Sequence, residues 1–203
     1  MKFYCLLILI CIACVTNIYA VEKNEDQKII FIRHGEKPLD KEIGQLSCQG
    51  LNRSLKIANV LIKKFGKPDY IFAPDPGVKI GKKGKRVSYI RPLSTIAPTA
   101  IKLGMPINAE FGYSDITGVS EKLLKEDYNN SLVFVSWEHK KLVDIVKYIF
   151  KKDKNNSPDI IPEWPEDDYD SIYILDVKKE NNLFQISFSQ DQQNLNHESK
   201  DCP

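Results

Sequence analysis

A buried strand that runs straight into an arginine, a histidine and a glycine constrains this chain more than any other feature. Lys28-Ile29-Ile30-Phe31-Ile32 reads as that strand, and Arg33-His34-Gly35-Glu36-Lys37-Pro38 follows at once. The C-terminal end of an early strand is where an open α/β sheet places its ligand crevice. Each residue type there suits an anion. The glycine allows close backbone approach. The arginine offers a planar fork of donors matched to phosphate or carboxylate. A neutral histidine offers a nucleophile or a base near neutral pH.

The rest of the chain supplies the elements such a sheet needs. Ser47 is an N-cap for a helix running to about Phe65, with Leu51, Leu55, Ala58, Ile62 and Phe65 as its apolar stripe and Gly66 as its stop. Tyr70-Ile71-Phe72-Ala73 is a second strand. Pro74 to Tyr89 reads as a loop crowded with Lys79, Lys82, Lys83, Lys85 and Arg86, which is either a solvated run or a device for steering an anionic substrate. A helix capped by Thr95, with Pro98 in its first turn, follows Arg91 and ends at Gly104. Pro106 to Ala109 is a short strand, and Glu110 to Gly118 is a loop carrying Glu110 and Asp115. Ser120 opens a short helix to about Tyr128. Leu132-Val133-Phe134-Val135-Ser136 is a third buried strand, and the helix after it has Leu142, Ile145, Val146 and Ile149 on its core face. After a polar linker, Ser171 to Leu175 and Leu183 to Ser187 form a hairpin that turns near Glu180-Asn181-Asn182. The order predicts an α/β fold: a three-layer α/β/α sandwich whose central sheet is mostly parallel with a mixed edge.

Composition sets the boundaries. A chain of 203 residues, 42% hydrophobic, has the size of one ordinary domain with a real core. A net charge of +2 gives no global pull toward nucleic acid or anionic lipid. Residues 1–20 have a basic start, an apolar run from Phe3 to Val15 and a small residue at Ala20, and no acidic residue occurs before Glu22. That is the pattern of a signal peptide cleaved after Ala20, with export to a periplasm or the medium and no stable membrane insertion afterwards. The apolar run is short for a span of roughly 20 residues. A lipoprotein reading at Cys14 is disfavoured by Cys11 in the upstream slot. Residues 21–189 form the domain, and 190–203 read as a flexible polar tail. Removal of the leader leaves two cysteines of five, Cys48 and Cys202, which either pair in a disulfide or remain one buried and one free.

Three blocks together resemble the histidine phosphatase superfamily, which includes the phosphoglycerate mutases and acid phosphatases. They are Arg33-His34-Gly35-Glu36; Arg91 ahead of a helix with Thr95, Thr99 and Ala100; and His139 after an apolar strand at a helix start. The resemblance implies the phosphoglycerate mutase-like fold and a metal-independent, cofactor-free phosphatase acting on a small phosphorylated substrate. In that scheme His34 attacks phosphorus to form a phosphohistidine, and Arg33, Arg91 and His139 form the phosphate pocket. A phosphoryl group carries spread charge and needs several fixed donors, which these residues provide. With only three histidines, one of them His197 in the tail, a histidine-rich metal site finds no support.

The general acid is the thinnest part of the match. The resemblance favours Glu110, one helix beyond Arg91, with Asp115, Asp167 and Asp168 as rivals. Lys140 after His139 does not match the branch that uses a His-Asp pair. Glu138 precedes His139, and adjacent residues at a helix start are expected to point apart. Glu36 is left to orient His34 or an arginine. Pro74-Asp75-Pro76 replaces the serine and arginine of many members, which points away from the mutase branch. Two other readings stay open: a phospholigand-binding protein without turnover, and a protein phosphohistidine phosphatase. Oligomeric state is not legible.

Overall fold

The polarity of the strands decides the layering. In the computed structural model, which describes residues 26–40, 43–81, 86–180 and 183–203, β1 (Asp26–Arg33) is buried along almost its whole length. Successive side chains leave a strand on opposite faces. Ile29 and Phe31 accordingly enter one core and Ile30 and Ile32 the other. Such a strand must lie inside a sheet covered on both sides.

Five strands form that sheet in the order β2-β5-β1-β6-β7. They are β2 (Tyr70–Phe72), β5 (Leu132–Trp137), β6 (Ser171–Glu180) and β7 (Leu183–Gln192) around β1. β1 and β2 pair in parallel with β5, while β6 is antiparallel to both β1 and β7. Only β6 therefore runs against the others, in keeping with the expected mostly parallel sheet. Helices α1 (Cys48–Phe65) and α2 (Arg91–Leu103) contribute Ile57, Leu61, Ile96 and Ala100 to one core. Helices α3 (Ile116–Leu123) and α4 (His139–Phe150) contribute Val119, Leu123, Leu142, Ile145, Val146 and Ile149 to the other. The result is a three-layer α/β/α sandwich. A two-stranded sheet of β3 (Lys79–Ile80) and β4 (Val87–Ser88) stands apart, in a stretch expected to be loop. Lys82, Lys83 and Lys85 lie outside the described residues, as does the leader expected over 1–20. Among the described residues no helix is long and apolar enough to cross a membrane.

Several boundaries differ from the sequence reading, for local reasons. Ser47 does cap α1, accepting the Gly50 N–H at 3.1 Å, and Gly66 stops it at φ 92°. The buried face, however, is Gly50, Arg53, Ser54, Ile57, Ala58 and Leu61, while Leu51 and Leu55 are 38% and 50% exposed. The expected stripe is rotated by about one residue, roughly 100°. The cause is Gly50. A Cβ there would meet the backbone N and O of Glu36 at 2.7 Å, so α1 rests directly on the Gly35–Glu36 backbone through this glycine. Helix α2 starts at Arg91, with Pro92 in its first turn, so Thr95 is no cap and Pro98 lies inside the helix. Residues 106–109 pair as a single bridge, Phe72 with Asn108. Helix α3 is capped by Asp115, whose side chain accepts the Gly118 N–H at 2.9 Å. Ser120 is thus mid-helix and buried, and a separate 3₁₀ turn covers Glu126–Tyr128.

The C-terminal segment also departs from expectation. β7 continues to Gln192, past the expected domain end at 189. Asp170 accepts the backbone N–H groups of Asn194 and Leu195 at 2.9 and 2.7 Å. Asn52 Nδ2 donates to the carbonyls of Ser199 and Asp201. A disulfide joins Cys48, the first residue of α1, to Cys202. The last residues are thereby fastened to the start of α1 rather than left as a free tail.

The packing of α1 makes a testable contrast. Ile57→Ala should cost about 2–5 kcal/mol by cavity formation, and Gly50→Ala about 1–3 kcal/mol by overpacking. Leu55→Gln should stay within about 0.5 kcal/mol. Urea unfolding of the three variants measures this, and a costly Leu55→Gln beside a silent Ile57→Ala would mean the helix is turned the other way.

Candidate active site

Parallel pairing of β1 with β5 sets Arg33 opposite Trp137. The chain leaves both strands at the same end of the sheet, so His34 and the Glu138-His139 pair follow adjacent strand ends. Four hydrogen bonds then fasten the blocks together. The His34 N–H donates to the Trp137 carbonyl at 3.0 Å. The Gly35 N–H donates to Thr95 Oγ1 at 2.9 Å, and the Thr95 hydroxyl donates to the Arg91 carbonyl at 2.8 Å. The Ser136 hydroxyl donates to the Pro92 carbonyl at 2.9 Å. Thr95, expected as a cap, instead ties the start of α2 to the loop after β1.

His34 is fully buried. Its Nδ1 lies 2.7 Å from the Gly35 carbonyl oxygen. A carbonyl only accepts, so Nδ1 carries the proton and a neutral ring keeps its lone pair on Nε2. Nε2 has no hydrogen-bond partner among the described residues. Burial pushes the imidazole well below its ordinary range. The Gly35 carbonyl opposes that shift, and the positive charges of Arg33, Arg91 and Lys37 reinforce it.

Arg33 is buried too. Its Nη1 donates to the carbonyls of Glu166 and Asp168, both at 2.7 Å, while Nε and Nη2 are buried without a hydrogen-bond partner. Its guanidinium stacks 3.9 Å above the Tyr169 ring, and that of Arg91 lies 4.9 Å above the Tyr89 ring. The two tyrosine rings flank His34, with centroids at 6.2 and 5.9 Å. Lys37 is half-buried, and burial together with Arg33 and Arg91 lowers its pKa. Three cations thus surround one neutral imidazole.

His139 is the first residue of α4 and only 3% exposed. Its Nδ1 lies 2.5 Å from Glu138 Oε1, a close polar contact rather than an aligned hydrogen bond. The expectation that adjacent residues point apart fails because Glu138 is the N-cap. Its backbone is extended (φ −77°, ψ 134°), and its carboxylate folds back over the first turn to accept the Lys141 N–H at 2.9 Å. Burial would raise the Glu138 carboxyl, but His139 and the Lys141 and Lys140 N–H groups hold it at about 2.

The expected acids stand elsewhere. Glu110 is exposed, takes a hydrogen bond from Asn108 Nδ2 at 2.9 Å and lies 3.4 Å from Lys122 Nζ. Asp115 is occupied as the α3 cap. Asp168 Oδ1 accepts the N–H groups of Asp170 and Ser171, and it is the Asp168 carbonyl, not its carboxylate, that meets Arg33. Asp167 lines a cleft of about 510 Å³ together with Lys37, Leu39, Glu166 and Tyr169. A cleft of about 600 Å³ at the opposite end of the strands, by Gln27 and Ser131, contains none of these groups. Among the described residues no cluster of His, Cys, Asp and Glu is arranged to hold a metal ion.

Three contributors escaped the sequence reading. Tyr89 and Tyr169 belong to no motif, and only their spacing from Arg91 and Asp168 hinted at proximity. Arg53 is a buried arginine paired with Glu36 (Nη2 to Oε1, 2.7 Å) and Asp170 (Nη1 to Oδ1, 3.2 Å). Its partner answers the open question about Glu36, which holds an arginine rather than His34.

No family model matches the sequence, and no curated protein matches it. Solved structures do. A mycobacterial glucosyl-3-phosphoglycerate phosphatase superposes with a TM-score of 0.55 at 13% identity, covering 80% of this chain and 97% of that one. A protein assigned as the phosphohistidine phosphatase SixA from Agrobacterium tumefaciens gives 0.52 at 11% identity, with coverage of 80% and 97%. A protein with the same assignment from Nakamurella multipartitia gives 0.50 at 10%, with coverage of 75% and 85%. At such identities the likeness concerns architecture, and by architecture the chain has the histidine phosphatase fold.

Proposed function

We propose that the protein is an exported phosphatase that hydrolyses phosphomonoesters through a covalent phosphohistidine on His34. The observation that carries this reading is the set of buried, unpartnered polar atoms at one end of the sheet: Arg33 Nε and Nη2, His34 Nε2 and His139 Nε2. A buried donor without a partner costs about 1–3 kcal/mol. A tetrahedral anion held by the guanidinium and the His139 ring recovers that cost for the donors, while the His34 Nε2 lone pair is left for phosphorus. Arg33 and Arg91 bind the phosphoryl oxygens, and His139 adds a donor at the positive end of α4. The lowered pKa of His34 keeps the Nε2 lone pair available for attack. The reading calls for no metal and no cofactor. The structural neighbours fit it, since one is named as a phosphatase and has been solved with inorganic phosphate.

A phosphohistidine-protein substrate is a second reading. It is favoured by the engagement of the Glu110, Asp115 and Asp168 carboxylates in hydrogen bonds elsewhere, and by two structural neighbours that are named as phosphohistidine phosphatases. Export weighs against it. A panel of alkyl and aryl phosphates beside phosphohistidine peptides separates the two.

His34→Ala should abolish hydrolysis of an aryl phosphate while leaving the circular dichroism spectrum unchanged. The native enzyme quenched in mid-reaction should carry acid-labile, base-stable phosphate. Undiminished turnover by the variant would end the nucleophile assignment.

The same histidine makes stability depend on pH. Its folded pKa lies well below the ordinary 6.5. As pH falls below about 6.5 the unfolded chain gains the proton first, so the contribution of neutral His34 is complete above that pH and declines below it. His34→Asn should show a shallower loss of stability between pH 7 and pH 5 in urea titrations; an identical slope would contradict the burial argument.

A further inference from the structure

The phosphatase reading leaves one proton unassigned, the one the departing oxygen must receive. Glu110, Asp115 and Asp168 are engaged with Asn108 and Lys122, the cap of α3, and the turn before β6 respectively. Asp167 lines the cleft beside Lys37 and Tyr169, whereas Glu138 is seated against an imidazole, 2.5 Å from His139 Nδ1. We propose that His139 is the proton donor to the leaving oxygen and that Glu138 is its positioning residue, an assignment that rests on the phosphatase reading of this site.

Glu138 is fixed at both ends. One oxygen caps α4 through the Lys141 N–H, and the other sits 2.5 Å from His139 Nδ1. The backbone leading to it is fixed as well, because Trp137 ends β5 and its indole N–H donates to the Tyr113 carbonyl at 2.8 Å. The carboxylate also acts electrostatically on Arg33, Lys37 and Tyr89, which places it within the same charged group rather than on a separate surface. The ring between them has Nδ1 against the carboxylate and Nε2 with no hydrogen-bond partner among the described residues. A substrate oxygen at Nε2 would leave the imidazole between the carboxylate and the phosphoryl group. Imidazole exchanges protons near neutral pH and is well suited to general acid–base work.

The steps balance. The His34 Nε2 lone pair forms the N–P bond while the P–O ester bond breaks, its electron pair passing to the oxygen. That oxygen takes the proton from His139 Nε2 and departs as a neutral alcohol. His139 is left neutral, with Nδ1–H toward Glu138. Water then attacks phosphorus and gives a proton to His139 Nε2. The N–P bond breaks with its pair returning to His34, and inorganic phosphate leaves.

The test is a leaving-group series, because a proton donor matters most where the departing oxygen is most basic. For Glu138→Gln in the full protein, kcat/KM on an alkyl phosphate should fall about 10²–10³-fold. On 4-nitrophenyl phosphate, whose phenolate needs no proton, it should fall less than about 10-fold. Glu138→Asp should recover part of the alkyl loss. His139→Asn should show the same steepened dependence, so the idea stays testable if Glu138→Gln loses the helix cap and fails to fold. Equal losses across the series, or none, would overturn the assignment. Acid-labile phosphate on His34 is measured on the native enzyme alongside. Its absence defeats the phosphatase reading itself, whereas its presence with a flat series defeats only the His139–Glu138 role.

Discussion

The parallel pairing of β1 with β5 is the constraint from which the site follows. Its register sets Arg33 beside Trp137, and the His34 N–H closes the ladder on the Trp137 carbonyl. A shift by one residue would turn every side chain of β1 to the other face. Ile30 and Ile32 would then leave the α1/α2 core, and Arg33 would exchange its carbonyl partners at Glu166 and Asp168 for apolar surroundings. The hydrophobic cores on the two faces therefore fix the position of the chemistry. The geometry of the candidate site follows from the same register that fills both cores.

Much of this was readable in the residues, and the reason is physical. Buried strands and the lower half of α4 carry periodic apolar patterns because packing alone decides them. Ile29 to Ile32, Val133 to Val135, and Leu142, Ile145, Val146 and Ile149 are all buried as their spacing implied. Patterns failed where a polar or backbone contact decided instead. At α1 the buried face begins with Gly50 and Arg53, which meet the Gly35–Glu36 backbone and the Glu36 carboxylate, so the exposed Leu51 and Leu55 misled the periodicity. At Glu138 the error lay in treating an N-cap as a helical residue. A capping side chain turns back over the first turn and so reaches its own neighbour. The Asp170 contacts with Asn194 and Leu195, and the Cys48–Cys202 bond, tie down a segment whose composition alone reads as unstructured.

The electrostatics of the site are organised by what each charge is denied. Arg33, Arg91 and Lys37 crowd a neutral ring, and the ion pair formed by Arg53 with Glu36 and Asp170 lies just behind them. Glu36 and Asp170 are spent on Arg53, so neither carboxylate neutralises the cations in front. A buried pair of this kind adds little net stability, since desolvation offsets its attraction. Its consequence here is positional: the residue directly after Gly35 is anchored to α1, and α1 is joined to the end of the chain through Cys48. The positive charge at the strand ends is thus offset by neither Glu36 nor Asp170.

Two imidazoles follow adjacent strand ends, and their backbones give them different neighbours. His34 is backed by a carbonyl, a neutral acceptor that fixes the Nδ1 proton without favouring a charged ring, and the cations around it further disfavour that charge. His139 is backed by a carboxylate held ionised at about 2. The first arrangement leaves the Nε2 lone pair without a partner among the described residues, and the second sets the ring against an ionised carboxylate. The difference arises from position in the fold. His34 follows its strand into a turn, where the next carbonyl lies within reach, whereas His139 opens a helix whose cap is the residue before it. Exchanging the order of Glu138 and His139 would put the carboxylate inside α4 and the ring at the cap, which removes both functions at once. The two-residue sequence Glu-His at the end of β5 is therefore a unit, and the helix that follows is what gives it direction.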